Sequence, residues 1–445
     1  MRNKIILFIS LLSLYGWSQE TKSNSFTLEE AINYALENSY NAKNNAKDIE
    51  IAKAKRWETI ASGLPQINAA VGYQNNIEIQ KSVVPAEFFG GMPGEFAEVA
   101  FGTKQNMNAV GTLSQLLFDG SYLVGLQASK VYLEITENAK KQSDIALTEN
   151  VINAYNNVLM AQEGVLIYVK NVANLNQTLK ETKAMFANGF IEEENVEQLQ
   201  ITLSQLNSAL NNTKRMQNIA LNMLKITIGM PIEEQLTLSN SLQELTENKI
   251  ELINKETGFS LENTVEYQIA ANNSKAKSLQ VKLEQSKYLP SLAANVNFGY
   301  NAFNNEFKFL TNEQKWLNYS NVGLNLNIPI FSSFGRKARV TQSKIELEKA
   351  NIQLDMVAEQ LELNYQNALS NYEFTLEDLS AAKQNLKLSE RIENKQKIKY
   401  KEGLSSSFEY TEAQRQLYTA QQNLIKAQIE LINKKAALDR IINQN

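Results

Sequence analysis

Acidic and hydroxyl side chains that follow two glycine turns are the residues of this chain best placed to act on a ligand. The turns lie at 187–190 and 401–404, and the second is followed by Ser405, Glu409 and Glu412. The 445 residues include no histidine and no cysteine, which removes the usual general base and every thiolate metal ligand. A serine without a partnered base is not an activated nucleophile. These positions therefore indicate helix capping rather than covalent catalysis.

Both turns open the same pattern, so the chain is built twice. After each glycine, apolar residues recur at spacings of three, four, three and four, as on a helix with one buried face. The two series are Val196, Leu199, Leu203, Leu206 and Leu210, and Tyr410, Ala413, Leu417, Ala420 and Leu424. An internal repeat determines the architecture before any single residue is interpreted. We predict a first repeat over 19–229, a connecting segment over 230–262 and a second repeat over 263–445.

Long helices must position the two turns. A seven-residue apolar repeat begins at Leu147, and this period indicates a left-handed coiled coil. A helix is expected over 121–188, with a length of roughly 100 Å at the rise of an α-helix, and a returning helix over 192–228. The second repeat predicts another long helix after Gly335 and a last helix that runs close to the C-terminus.

Two further segments flank these helices. Thr27 and Glu30 have the spacing of a capping box, so a single helix is predicted over 26–62, ending at Leu64-Pro65. Residues 230–262 follow a helix-breaking Gly-Met-Pro sequence and are predicted to be an irregular connection between the two copies.

Four segments alternate apolar and polar side chains with the period of a β-strand. We expect strands over 67–79, 105–118, 292–300 and 321–330, and a long loop over 81–104, which is rich in proline and glycine. The polar positions are mostly Asn, Gln and Ser, which suits lipid on one face and water on the other. A soluble antiparallel sheet with one face on a core would alternate in the same way, but no amphipathic helix remains to cover it.

The N-terminus has the features of a secretory signal. Arg2 and Lys4 precede a short apolar run over 5–14, and Ser18 suits cleavage, which predicts a signal peptide over 1–18. No later stretch approaches the about 20 apolar residues that a membrane helix needs, so a membrane crossing would have to use strands. The net charge of −4 and the lack of a basic block argue against nucleic acid as a partner.

Four strands are too few to close a membrane barrel, and unpaired strand edges are excluded from lipid. Several copies must therefore assemble: two would supply eight strands, and three would supply twelve around a wider lumen. Helices roughly 100 Å long that continue such a barrel would form a tube. The pattern thus indicates passage through a conduit, for which neither enzyme chemistry nor a cofactor is needed.

The order of helix, Leu-Pro, strand, loop, strand, long helix, glycine turn and helix, present twice, resembles the TolC family of outer-membrane efflux proteins. The likeness covers nearly the whole chain after the signal. Its marks are Leu64-Pro65 with Leu289-Pro290, Phe118-Asp119-Gly120 with Phe331 to Gly335, and the turns at Gly189 and Gly403. It implies an α+β membrane protein, mostly α-helical, that forms a homotrimer with a twelve-stranded barrel in the outer membrane and a helical tunnel in the periplasm. It also implies outer-membrane lipid, a periplasmic adaptor and an inner-membrane pump as partners.

The resemblance also implies a periplasmic aperture at the helical turns. In the family, acidic residues six and nine places after the second glycine constrict the aperture and attract cations; here they are Glu409 and Glu412. Tyr400, three places before Gly403, matches a latch tyrosine, and Asn195 occupies the acidic position after the first turn.

Two interpretations of the acidic pair stay open. Ser406 and Glu409 have the spacing of a capping box, and acids belong in the first turn of a helix. Under three-fold symmetry, in contrast, each acid would face two copies of itself, and like-charge repulsion would raise its apparent pKa. Ser405 stands where some family members pair the tyrosine with an arginine.

Two other classes of protein compete with the channel. A periplasmic coiled-coil adaptor or scaffold fits the two hairpins but leaves four lipid-compatible strands unexplained; extraction from membranes without detergent would favour it. A secreted enzyme is disfavoured because no convergent set of polar side chains accompanies the missing histidine and cysteine.

Overall fold

Long helices dominate the computed structural model, which describes residues 24–248 and 259–442. The predicted signal peptide over 1–18 lies outside the described residues. The helices are α1 (Leu28–Asn38), α2 (Tyr40–Ala61), α3 (Gly120–Ala187), α4 (Glu193–Ile228), α5 (Leu242–Asn248), α6 (Val265–Ser286), α7 (Gly335–Lys401) and α8 (Ser407–Ile442). The strands are β1 (Asn24–Phe26), β2 (Gln66–Asn75), β3 (Lys81–Pro85), β4 (Phe96–Ala100), β5 (Gln105–Asp119), β6 (Leu236–Leu238), β7 (Ser291–Asn304) and β8 (Trp316–Asn327).

The chain divides into two compact units. We call the first the helical unit; its described residues fall within Met1–Asp48, Asn138–Ile269 and Asp355–Asn445. The second, the sheet unit, comprises Ile49–Glu137 and Ala270–Leu354. Each unit therefore combines segments that are far apart in the sequence.

Apolar stripes at heptad spacing hold the helical unit together, as the sequence predicted. The α3 and α4 hairpin buries Leu175, Leu179, Val196, Leu199 and Leu206, and the α7 and α8 hairpin buries Tyr372, Leu379, Ala382, Leu431 and Leu438. Burying a side chain of this size contributes about 1.5–3 kcal/mol. Narrow stripes of this kind are therefore enough to pair helices whose remaining faces are polar.

The start of the chain is anchored in the helical unit. β1 pairs with β6 in parallel, with Ser25 opposite Thr237. The predicted capping box is present: the Thr27 amide donates to the Glu30 carboxylate at 2.8 Å, and the Glu30 amide donates to Thr27 Oγ1 at 3.2 Å. These bonds satisfy two backbone donors that a helix start would otherwise leave unpaired.

The sheet unit contains one antiparallel sheet with strand order β2-β5-β7-β8. Its register places residues of like polarity next to one another across all four strands, in one apolar row and one polar row. These rows are Ile67, Leu113, Val296 and Val322 on one face, and Asn68, Thr112, Asn297 and Asn321 on the other. On the polar row, Thr112 Oγ1 donates to Asn297 at 2.7 Å, and Asn297 donates to Asn321 at 2.9 Å. The alternation read from the sequence is confirmed.

The prediction of a single helix over 26–62 is wrong, because the structure interrupts it at Ser39. The backbone there is extended, with φ −60° and ψ 150°, and the Ser39 hydroxyl accepts a hydrogen bond from the Ala42 amide at 3.1 Å. A serine that satisfies a helix-start amide in this way acts as an N-cap. It ends α1 and begins α2 within one polar stretch.

The prediction of an irregular loop over 81–104 is also wrong. β3 and β4 form an antiparallel hairpin, with a 3₁₀ helix over Ala86–Phe89 between them. Lys81 Nζ lies 2.9 Å from the Glu98 carboxylate across the hairpin. The glycines and prolines mark the end of this hairpin, and their density concealed two strands of only 5 residues each.

Boundaries differ at three further places. The segment over 230–262, predicted to be irregular, contains β6 and α5, and Leu236 and Leu242 are buried in the core of the helical unit. Residues 249–258 lie outside the described residues. The first strand, expected to reach 79, ends at Asn75. The last strand, expected over 321–330, runs over Trp316–Asn327. Across the described ranges, no helix has both the length and the apolar content needed to span a membrane.

Candidate functional site

The two helical turns share one backbone geometry. Gly189 and Gly403 have φ of +75° and +73°, the left-handed conformation that favours glycine. In the first turn the Phe190 amide donates to Met185 O at 3.0 Å, and in the second the Leu404 amide donates to Lys399 O at 2.8 Å. Both are Schellman endings, which close a helix and reverse the chain. The repeat inferred from the sequence is thus visible in the turns themselves.

Glu409 forms the capping box that its spacing from Ser406 predicted. The Ser406 amide donates to the Glu409 carboxylate at 3.0 Å, and the Glu409 amide donates to Ser406 Oγ at 3.2 Å. Ser405 Oγ donates to the same carboxylate at 2.7 Å. In the single chain these bonds hold the pKa of Glu409 below its ordinary value, with the Ser405 hydroxyl the largest cause. Ser405, at the position where the resemblance leads us to expect an arginine, therefore forms a hydrogen bond with Glu409.

Glu412 lies one helical turn further along α8 and is ion-paired within its own helix. Arg415 donates to both carboxylate oxygens, from Nε at 2.8 Å and from a terminal nitrogen at 2.6 Å. Hydrogen bonds from Arg415 and Gln416 lower the pKa of Glu412. The acid stays charged at neutral pH, with its charge partly offset by the exposed Arg415 guanidinium.

Asn195 connects the first turn to the second. Its side-chain oxygen accepts a hydrogen bond from the Ser407 amide at 3.2 Å, although the two residues are 212 positions apart. Ser407 is the first residue of α8, where a helix leaves its amides unpaired. Asn195 therefore connects the start of α4 to the start of α8, the corresponding helix of the second repeat.

Tyr400 lies beneath the second turn and is almost fully buried. Its ring stacks on that of Tyr410, and its hydroxyl lies 3.1 Å from Thr182 Oγ1 on α3. Burial raises the pKa of Tyr400, so the hydroxyl remains protonated. The structure thus brings Tyr400 and Asn195 into contacts that join the two hairpins of one chain.

Several side chains of this region were not identified from the sequence. The Tyr410 hydroxyl donates to Glu393 at 3.3 Å and accepts from Gln414 at 2.8 Å. Lys401 Nζ lies 2.8 Å from the Glu181 carboxylate. Tyr410 is the first apolar position of the stripe after Gly403. A tyrosine on the predicted buried face of the helix was the signal that could have identified it. Gln414 lies four residues further along α8, whereas Glu393 lies on α7 and left no local pattern.

The site offers charge and hydrogen bonds, and the described ranges contain no group of three or more acidic side chains able to hold a metal ion.

A sequence profile of the outer membrane efflux protein family matches residues 31–230 and 260–444. The chain belongs to this family. The two matched segments correspond to the twofold repeat, and a search of curated protein sequences gives no match.

The fold of this efflux protein matches solved outer-membrane channels. CusC, whose crystal structures concern the conformational changes that accompany folding and transmembrane channel formation, superposes with a TM-score of 0.74 at 18% identity, over 94% of this chain and 92% of that one. The CmeC channel of Campylobacter jejuni gives 0.72 at 17%, over 96% and 90%. The open state of the MtrE channel of Neisseria gonorrhoeae gives 0.69 at 17%, over 93% and 88%. These likenesses establish the shared fold.

The family and the fold confirm the main inferences from the sequence. The efflux protein resides in the outer membrane and extends into the periplasm, and it belongs to a class of channels rather than enzymes. The resemblance to the TolC family is confirmed, and with it the mostly helical fold with a twofold repeat.

Proposed function

We propose that this efflux protein is one of three identical subunits of a channel that crosses the outer membrane and continues as a helical tunnel through the periplasm. The observation that supports this most directly is the exposed apolar face of its sheet. Ile67 is 80% exposed, Val322 75% and Leu324 67%. In water such a face would be costly, since each buried CH₂ is worth about 0.8 kcal/mol. Lipid is the environment that suits it.

The edges of the sheet explain why one copy is insufficient. Among the described residues, β2 and β8 have no neighbour on their outer sides. Unpaired backbone groups at a strand edge are not tolerated in lipid. Pairing β8 of one copy with β2 of the next would leave no free edge once the ring closes, and three copies would give a twelve-stranded barrel.

The same proposal assigns the aperture to the helical turns. Glu409, Glu412, Tyr400 and Asn195, next to Gly189 and Gly403, would narrow the periplasmic end of the tunnel. Support comes from the contacts of Tyr400 and Asn195, which join the two hairpins of one chain and would have to change if the hairpins separated. A periplasmic adaptor and an inner-membrane transporter would bind this end and supply the exported molecule.

Reconstitution in a planar bilayer tests the channel. We expect discrete conductance steps, a detergent-solubilised mass of three chains, and retention in membranes until detergent is added. A water-soluble monomer that produces no conductance would overturn the proposal and favour the periplasmic scaffold instead.

A further inference from the structure

The β3–β4 hairpin carries several exposed apolar side chains within one short element. Phe88 is 80% exposed, Phe96 73% and Met92 72%. Val83 and Phe89 of the same hairpin are exposed as well. We call these five side chains the apolar tip. Such a group is costly to leave in water, and it marks a place where another surface binds.

The apolar tip is built on a folded turn. Phe88 and Phe89 belong to the 3₁₀ helix that separates the two strands. This helix ends at Gly90, whose φ of +81° is the left-handed conformation that glycine adopts without strain. The Gly91 amide then donates to Ala86 O at 3.0 Å and closes the turn. The two rings are therefore presented together in a defined place.

The base of the hairpin is bonded on the polar face of the four-stranded sheet. Gln74 and Asn68 are an even number of positions apart on β2, so they share that face. The Gln74 side chain donates to Asn76 Oδ1 at 2.8 Å, and the Asn76 side chain donates to Thr103 O at 3.1 Å. The Asn76 amide also donates to Lys104 O at 2.7 Å. These bonds join the two ends of the hairpin on the polar side.

The apolar face is already covered at this end of the sheet. Residues 305–315 connect β7 to β8, and their Phe307 and Phe309 rings lie 5.5 Å and 6.0 Å from the Tyr73 ring, centre to centre. Tyr73 shares its face with Ile67. Phe309 is buried by this packing. The contacts on both faces therefore favour a hairpin that extends over the polar face, which would line the lumen of a closed ring.

The hairpin is long enough to reach the centre of such a ring. Twelve strands about 4.8 Å apart and tilted by about 40° enclose a barrel with a radius of about 12 Å. A strand of 5 residues, the length of β3, spans about 17 Å. Three hairpins that extend inward from the wall would therefore meet at the axis.

We propose that the apolar tips of three copies pack against one another and form a gate over one mouth of the barrel. The gate closes the end of the sheet where the strands lead into loops rather than helices. Each tip is thus covered by a second copy of this chain. The inference rests on the proposed function, since it requires the closed ring. A constriction of phenylalanine and methionine side chains excludes water and ions until the tips separate.

Engineered thiols test the contact, because the chain contains no cysteine. Phe88→Cys is introduced into the full chain, reconstituted in vesicles at low protein density and oxidised with copper phenanthroline. The matched control is Ile77→Cys, at a position 91% exposed near the base of the hairpin. Three thiols on the barrel wall would lie about 20 Å apart, whereas a disulfide needs Cα atoms within about 7 Å of each other.

We expect about two thirds of the Phe88→Cys chains to form a disulfide-linked dimer, since only two of three symmetric thiols can pair. Ile77→Cys should stay uncrosslinked, and reduction of the Phe88→Cys dimer should raise the conductance. Equal crosslinking of both variants, or none in Phe88→Cys vesicles that conduct, overturns the gate and leaves the channel standing. Vesicles that show neither conductance nor crosslinking would remove the proposed function together with the gate.

A second variant tests the gate without crosslinking. Phe88→Ser with Phe89→Ser removes both rings from the proposed constriction, and we expect the single-channel conductance to rise at least about twofold. Leu310→Ser is the control, because Leu310 is exposed on the segment that covers the apolar face. It should conduct as the wild type does. Unchanged conductance in the double variant would show that the tips do not obstruct the mouth.

Discussion

Tyr400 and Tyr410 stack almost in parallel beneath the second helical turn, with ring centroids 5.4 Å apart and an angle of 10° between the planes. Tyr400 belongs to the end of α7 and Tyr410 to the start of α8. Both hydroxyls reach α3: that of Tyr400 lies 3.1 Å from Thr182 Oγ1. That of Tyr410 lies 3.4 Å from Thr178 Oγ1. The stack therefore couples the turn itself to the α3 helix of the other hairpin.

Replacing the Tyr410 hydroxyl should destabilise the protein. Tyr410→Phe keeps the stacked ring but leaves Glu393 and Gln414 without their partner, which we expect to cost about 1–3 kcal/mol. Denaturant unfolding in detergent measures the change. The matched control is Tyr418→Phe, because the Tyr418 hydroxyl makes no hydrogen bond to the described residues; an equal loss in both variants would contradict the network.

Neutralising the acidic pair should raise the conductance of the aperture. Glu409→Gln with Glu412→Gln keeps the size and hydrogen-bonding capacity of both side chains while removing two charges per chain. We expect a higher single-channel conductance and weaker blockage by multivalent cations in planar bilayers. The double variant Glu359→Gln with Glu377→Gln removes the same charge from exposed positions of α7 and should leave both quantities unchanged. Identical behaviour of the two double variants would exclude an aperture role.

Acid should weaken the start of α8 through Glu409. Its pKa is lowered by hydrogen bonds that exist only in the folded chain, so its carboxylate stabilises the fold at neutral pH. That contribution is complete above the ordinary glutamate pKa of 4.5 and is lost as the pH falls through the lower folded value. We expect the stability difference between wild type and Glu409→Gln, measured in a monomeric detergent form, to shrink below pH 4.5.

Assembly of three copies would oppose the lowering of the Glu409 pKa. If three copies bring Glu409 together, repulsion raises the apparent pKa relative to the single chain. Conductance would then titrate at a higher pH than the stability of the monomer. If conductance and monomer stability instead change over the same pH range, Glu409 acts only as a helix cap.

Loss of the Asn195 contact should loosen the closed aperture. Asn195→Ala removes the acceptor of the Ser407 amide, whereas Asn195→Asp keeps an oxygen in place. We expect a more frequently open channel in the alanine variant and near-normal gating in the aspartate variant, measured as open probability in bilayers. Asn188→Ala is a suitable control, because its side chain bonds only the adjacent Ala184 carbonyl among the described residues. A gating change of equal size in that control would refute the assignment.

Much of this architecture followed from local patterns. The period of two in the strands, the period of seven on α3 and the glycine turns at Gly189 and Gly403 each record how nearby side chains share a face. The capping boxes at Thr27 and Ser406 were equally legible, because both partners lie within one turn of helix. The break at Ser39 and the β3–β4 hairpin were not, since single caps and very short strands leave little periodic signal.

The sequence by itself determined the fold class, the repeat, the strand faces and the positions of the helical turns, because these depend on residues close together in the chain. Only the tertiary structure decided that Asn195 would meet Ser407, 212 positions away, and that Tyr400 would meet Thr182, 218 positions away. It also decided that Phe334 would adopt a left-handed backbone at an exposed turn. Such contacts depend on how whole helices pack, and packing brings together residues whose spacing in the chain carries no period.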